Sequence, residues 1–254
     1  MVLTKANAYQ YALCMDLQNN FFSYAIIDVN TKKSIDCKSI ALTEFTKAEL
    51  VKCIEDDFFK FEFKSVSLTV STNRHTLVPT SIFGDSDAKS IFGLNHQPPF
   101  DNIDYNRIPE LGIVSIYEIP LWIRSVFVMK IPRIKIVHTS IALLKGLFNQ
   151  PVFSPKLSIY WQNDSFYLAI TSKGKLQYFN LFQSNQIPDL VYNVLFVLEQ
   201  KELAIKDMAI NLLGVPADWD KQKELSKLLN QTVKVDALTE KSDQFILASQ
   251  LLCV

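Results

Sequence analysis

A chain of 254 residues, 48% apolar and 12% aromatic, can bury a substantial core as one large domain or as two duplicated halves. Lysine plus arginine and aspartate plus glutamate total 26 each, so no net field draws in nucleic acid or an anionic membrane surface, and no nucleic-acid partner is expected. Charges break every apolar run well short of the roughly 20 residues of a membrane helix, and Met1-Val-Leu-Thr-Lys-Ala-Asn7 lacks a secretory apolar core.

The chain opens with two β-rich runs, residues 9–16 and 20–29, joined by Gln18-Asn19-Asn20. Asn30-Thr31-Lys32-Lys33 turns into a third run that ends near Leu42, which makes an antiparallel meander. Thr46-Lys-Ala-Glu49 is a capping box, and Leu50, Val51, Ile54 and Phe58 follow as one apolar stripe, so a helix should cover one face of that sheet. Val66-Ser-Leu-Thr-Val-Ser71 is an alternating strand that can return beside the first by a right-handed crossover. Residues 84–110 are turn-rich, with His96-Gln-Pro-Pro-Phe-Asp-Asn102, and read as a long surface excursion. Gly112–Ile119 reads as a strand and Pro120–Met129 as a helix, a pairing repeated by Arg133–Val137 and Ser140–Phe148. The first of these helices carries Leu121, Trp122, Ile123, Val126, Phe127, Val128 and Met129, which leaves little polar face and requires burial in the core or against a partner.

From residue 157 the opening order recurs. Leu157–Gln162, Ser165–Thr171 and Lys175–Phe182 form a meander, and Pro188 opens a helix with Leu190, Val191, Val194, Leu195 and Leu198 as its stripe. Met208–Leu213 is the returning strand; Trp219–Leu229 and Thr232–Val235 add a helix and a strand, and Phe245–Val254 closes the chain. Leu13–Ile27 and Leu157–Thr171 share six of fifteen residues at one offset of about 144, a domain duplication rather than a solenoid period of roughly 20–50 residues. Residues 1–150 are expected to form the first half, with an α/β subdomain inserted at about 84–137, and residues 151–254 the second.

Cys14, Cys37, Cys53 and Cys253 include no close pair and no histidine placed to complete a zinc site, so reduced, buried thiols in a cytoplasmic protein are expected and no metal site is. His75, His96 and His138 are scattered, and no Gly-x-Ser-x-Gly elbow occurs. Asp85-Ser-Asp87 reads as a helix start. No catalytic residue is assigned.

Three antiparallel strands, a helix and a parallel strand, occurring twice, resemble the duplicated ribonuclease H-like fold of the actin, sugar kinase and heat-shock chaperone superfamily. That resemblance implies an α/β fold with two mixed five-stranded sheets and a phosphate loop between strands one and two, reading Asp, an apolar residue, then glycine and a small hydroxylated residue. Met15-Asp-Leu-Gln-Asn-Asn20 occupies that place with Gln18 and Asn19 where backbone should be bare, and Tyr160-Trp-Gln-Asn-Asp164 occupies it in the second copy. Asp16 and Asn19 are therefore the candidates toward a nucleotide. Gly214, in Leu212-Leu-Gly-Val-Pro216, is the nearest match to the adenosine-binding segment. A nuclease would need further carboxylates; Glu55 could be a second, but Val70-Ser-Thr-Asn73 supplies no third.

Thr76-Leu-Val-Pro79, Gly112–Pro120 and Val137–Gly146 are similar to a bacterial domain-of-unknown-function family with an actin-like ATPase fold. More distantly they are similar to the actin-like assembly proteins of type IV pili and type II secretion. The resemblance implies a strand and helix insertion that contacts other proteins. With the loop glycines lost, the expectation is a non-catalytic, protein-binding scaffold that holds no cofactor and meets its partner through Trp122, Phe127 and residues 84–110. The alternative is a divergent ATPase or kinase using ATP and magnesium. Because actin-like proteins polymerise, self-association also stays open.

Overall fold

The structure is a computed structural model, describing residues 3–84, 87–150, 153–162, 164–216, 219–235 and 244–253. The chain divides into two compact units, Met1–Gly146 with Ile246–Val254, and Leu147–Phe245. In the first, β1 (Tyr11–Gln18), β2 (Phe21–Asp28) and β3 (Ser34–Ala41) form the meander. β4 (Ser65–Val70) returns parallel to β1, with Leu13 opposite Val66 and Asp16 opposite Thr69. β8 (Lys135–His138) lies parallel beyond β4, and the sheet order is β3-β2-β1-β4-β8. β1 is central and covered on both faces, which is why Tyr11 to Leu17 are buried without alternation.

α1 (Lys47–Cys53) starts where the capping box predicts, with Thr46 Oγ1 accepting from the Glu49 amide at 3.4 Å. It ends before the expected stripe does. Ile54 leaves the helical region, and a 3-10 turn over Asp57–Lys60 buries Phe59 instead of Phe58, placing it edge-on to Tyr24 at 5.5 Å.

Between β4 and β8 lies the insertion: β5 (His75–Pro79), α2 (Thr80–Phe83), α3 (Ala88–Phe92), β6 (Ile103–Ile108), β7 (Ile113–Glu118) and α4 (Leu121–Lys130). β7 is the centre of an antiparallel sheet β5-β7-β6. The insertion therefore begins at His75, earlier than residue 84, because the half-exposed β5 has no clean alternation to mark it. Residues 84–110 lie mostly at the surface, as expected, but they are tied to the inserted sheet rather than looping free. Phe92 and Ile108 are fully buried, β6 pairs along β7, and Arg74 donates to the carbonyls of Gln97 (3.1 Å) and Pro99 (3.4 Å) while its guanidinium lies over Phe92 and Phe100. The expected helix start at Asp85-Ser-Asp87 is set by Asp87, which caps α3 by accepting from the Ser90 amide; Asp85 and Ser86 lie outside the described residues.

α4 resolves the question its sequence poses. Ile123, Val126 and Phe127 turn inward, and Phe127 meets Phe22 at 5.9 Å between ring centres. Trp122 is half-buried, edge-on to Phe45 at 5.4 Å, and Leu121, Val128 and Met129 remain exposed. α5 (Thr139–Leu147) follows β8.

The second unit repeats the plan with β9 (Lys156–Trp161), β10 (Phe166–Ser172), β11 (Lys175–Phe182), α6 (Ile187–Gln200), β12 (Ala209–Leu213), α7 (Gln222–Leu229) and β13 (Val233–Val235), ordered β11-β10-β9-β12-β13. The offset that relates the two hairpins also carries Ser65, the start of β4, onto Ala209, the start of β12. Leu157, Ile159, Leu168 and Ile170 pack against Leu190, Val194, Val197 and Leu198 of α6, each fully buried chain contributing about 1.5–3 kcal/mol.

The closing segment, α8 (Phe245–Ser249) and a 3-10 turn to Leu252, was expected in the second half, yet residues from Ile246 onward group with the first unit. Polar anchors hold it there. Lys135 Nζ donates to the Cys253 carbonyl, Lys145 Nζ to that of Leu252 at 3.1 Å, and the Gln250 side chain is wholly buried.

Candidate functional site

Ligands in open α/β sheets bind beyond the carboxyl ends of the parallel strands, so the place to look is where β1, β4 and β8 end. Asp16 is there and is 2% exposed. Thr69 Oγ1 donates to its Oδ1 at 2.6 Å and Gln18 Nε2 to its Oδ2 at 2.9 Å. Burial pushes the Asp16 carboxyl above its ordinary value, and the bonds from Thr69 and Gln18 only partly oppose this. Behind the carboxyl, Gln250 Nε2 donates to the Met15 carbonyl (2.7 Å) and to Thr69 Oγ1 (3.0 Å), and its Oε1 accepts from Ser67 Oγ (2.6 Å).

The hairpin beside Asp16 is a two-residue turn at Asn19 and Asn20, with Gln18 opposite Phe21. Neither asparagine takes a positive φ, so the turn does not require the glycines of a phosphate loop. Asn19 is exposed.

In the second unit the corresponding loop closes through Gln162 N–H to the Ser165 carbonyl at 2.8 Å, while Asn163 lies outside the described residues. Tyr160 is 3% exposed and packs on Tyr167. Gly214 sits directly against it: φ is +79°, and a Cβ there would lie 2.5 Å from a Tyr160 ring carbon and 2.8 Å from the Trp161 carbonyl oxygen. Glycine at 214 thus has a structural reason in this chain, to admit the tyrosine at the end of β9.

The remaining candidates do not converge on Asp16. Glu55 is exposed on the connection from α1 into β4, at the amino end of the parallel strands, opposite the end that bears Asp16. His75 instead stacks on His138 at 4.5 Å. Among the described residues no group of three or more His, Cys, Asp or Glu is arranged to hold a metal ion, and no helix is long and apolar enough to cross a membrane. None of the four cysteines is in a disulfide, and burial pushes the thiols of Cys14 and Cys253 up to about 12 and about 11, which makes them poor nucleophiles.

Thr69, Gln250 and His138 were not anticipated as site residues. Thr69 alternates with Ser67 on a face whose partner, Gln250, is distant in sequence, so no local pattern could link them.

Two meander-helix-strand units of the same strand order, one carrying an inserted three-stranded sheet, define an actin-like ATPase fold. The chain belongs to the family described as "Protein of unknown function (DUF3822)", whose model matches residues 2–234. Among solved structures it is similar to a Bacteroides thetaiotaomicron protein with actin-like ATPase fold and unknown function, at 22% identity over 100% of both chains with a TM-score of 0.85. It is also similar to the PilM-PilN type IV pilus biogenesis complex, at 12% identity and TM-score 0.64 over 95% of this chain and 97% of that one. A third likeness is to the cytoplasmic domain of EpsL, an inner membrane component of the type II secretion system of Vibrio cholerae, at 11% identity and TM-score 0.55 over 95% and 94%. A search of curated proteins found no match.

Proposed function

We propose that this protein is a non-catalytic scaffold of the actin-like fold that docks another protein, in the cytoplasm. The observation that carries the reading is the state of Asp16: buried, saturated by Thr69 and Gln18, and pushed toward its neutral form. A carboxylate that organises magnesium beside phosphates has to be open to the ion and its waters, whereas Asp16 is buried with both oxygens already accepting hydrogen bonds. The residues present therefore do not fit ATP with magnesium. Isothermal titration with millimolar ATP and magnesium should give no binding heat; saturable heat that Asp16→Ala removes would instead favour a divergent ATPase or kinase.

Relatives in pilus and secretion assemblies support a protein partner, and α4 offers the surface. Phe127 cannot contribute, since helical spacing sets it inward with Ile123 and Val126 and it is fully buried. The docking surface is instead Leu121, Val128 and Met129, with the exposed edges of Trp122 and Phe45 beside them. Met129, 77% exposed, is the informative position. Met129→Asp should abolish co-purification or self-association while leaving the melting temperature within about 2 °C, since exposed substitutions rarely exceed about 0.5 kcal/mol. Loss of fold on that substitution would show that the face is core.

A further inference from the structure

β8 belongs to the five-stranded sheet of the first unit, β5 and β7 to the inserted three-stranded sheet, and a column of rings joins them. The His138 imidazole, fully buried, stacks at 4.5 Å on His75 of β5 and at 5.6 Å on Tyr117 of β7. Ser115 of β7 and Ser140 of α5 touch through their hydroxyls at 3.1 Å.

The partners of His138 assign its tautomer. The Ser140 backbone N–H donates to Nδ1 at 3.2 Å, while Nε2 lies 3.0 Å from the Thr72 carbonyl and 3.4 Å from the Thr72 N–H; the shorter contact, to the carbonyl, assigns the proton to Nε2 and the lone pair to Nδ1. An added proton has only Nδ1 to occupy, where it would confront the Ser140 amide hydrogen. The Ser140 hydroxyl, 2.8 Å from Nδ1, can rotate to accept, but the backbone donor cannot.

The neighbouring charges are already matched elsewhere. Arg74 pairs with Glu118, whose carboxylate also takes the Asp101 amide, and Arg124 pairs with Asp104 at 2.8 Å. His96 meets the His75 carbonyl at 3.2 Å, Tyr117 donates to Asn106 at 2.6 Å, and Asp16, across β4, is held by Thr69 and Gln18. Both nitrogens of His138 are thus committed to uncharged partners. Burial holds this imidazole down to about 4, and burial together with the charge that His138 and His96 would carry pushes His75 well below the ordinary value.

We propose that the His75–His138–Tyr117 column is an acid-sensitive latch, and that mild acidification, by charging the imidazole once it is exposed, favours release of the three-stranded sheet while the five-stranded sheet stays folded. The sign follows from proton uptake on opening. A folded value of about 4 against 6.5 when exposed keeps the latch at full strength above pH 6.5 and weakens it progressively as pH falls toward 4. Between pH 7.5 and 5.0 the opening equilibrium should rise roughly 30-fold from His138 alone.

Hydrogen exchange of the full chain, followed by mass spectrometry and corrected for the intrinsic pH dependence, reads this directly. Amides of β5 and β7 should gain about 30-fold in exchange from pH 7.5 to 5.0, with β1 and β4 unchanged, and His138→Asn should flatten the response. If that variant does not fold, the imidazole C–H resonances of the wild type decide: the latch requires His138 to titrate well below pH 6.5, together with opening of β5 and β7. Exchange in β5 and β7 insensitive to pH, simultaneous opening of both sheets, or titration of His138 at the ordinary value would each overturn the proposal.

Discussion

Gly214→Ala is expected to destabilise the second unit by about 4 kcal/mol and to lower its melting temperature by roughly 10 °C. Two effects add. The backbone at 214 sits at φ +79°, where a Cβ clashes with its own chain at a cost of about 1–2 kcal/mol. The same Cβ would lie 2.5 Å from the Tyr160 ring and 2.8 Å from the Trp161 carbonyl oxygen, and the second of these is backbone paired in the central strand β9, which cannot give without disturbing its neighbours. Overpacking of that kind costs about 1–3 kcal/mol. Gly174 supplies the control, because it has nearly the same φ, +71°, yet a Cβ there would meet nothing within 4 Å. Gly174→Ala should cost only the conformational part, about 1 kcal/mol. Chemical denaturation of the two variants side by side makes the comparison, and equal losses would show that close approach at Tyr160 contributes nothing.

Gln250→Leu should cost about 3 kcal/mol and free the closing segment. The side chain is fully buried and makes three hydrogen bonds, to the Met15 carbonyl, Thr69 Oγ1 and Ser67 Oγ. Leucine fills much of the volume but leaves the Met15 carbonyl and the Ser67 hydroxyl without these partners, and each buried polar group left unmatched costs about 1–3 kcal/mol. Thr69 keeps its bond to Asp16, which limits the loss. Lys145→Met, removing a partly exposed donor to the Leu252 carbonyl, should cost less than about 1 kcal/mol. Urea denaturation separates the two, and hydrogen exchange of residues 246–252 should accelerate only in the glutamine variant. Were Gln250→Leu neutral, the buried network would not be what anchors the segment.

Local sequence signals served well wherever a residue's role depends on near neighbours. The capping box fixes the start of α1 at Thr46, Pro188 opens α6, and Lys173-Gly174 makes the β10–β11 turn with both residues at positive φ. They served poorly for β5. Its five residues are half-buried or exposed and become a strand only because β7 supplies their hydrogen bonds, a pairing across some 40 residues. The turn-rich look of 84–110 marks a surface segment but hides its ties for the same reason: Arg74, far upstream, holds that segment down and its aromatic rings receive the guanidinium.

The duplicated order of strands follows from residues 9–71 and 157–213, and the positions of both hairpins and the absence of loop glycines from residues 13–27 and 157–171, because strand period and turn chemistry are local properties. Which side of α4 faces outward, what saturates Asp16, what Gly214 makes room for and where the last residues belong are decided by contacts between segments far apart in the chain. Phe127 goes inward because Phe22 is there, Asp16 is closed off because Thr69 and Gln18 donate to it, and the closing segment joins the first unit because Gln250 satisfies Met15, Ser67 and Thr69 at once. Burial and hydrogen-bond satisfaction are properties of the assembled fold, and no periodicity along the chain encodes them.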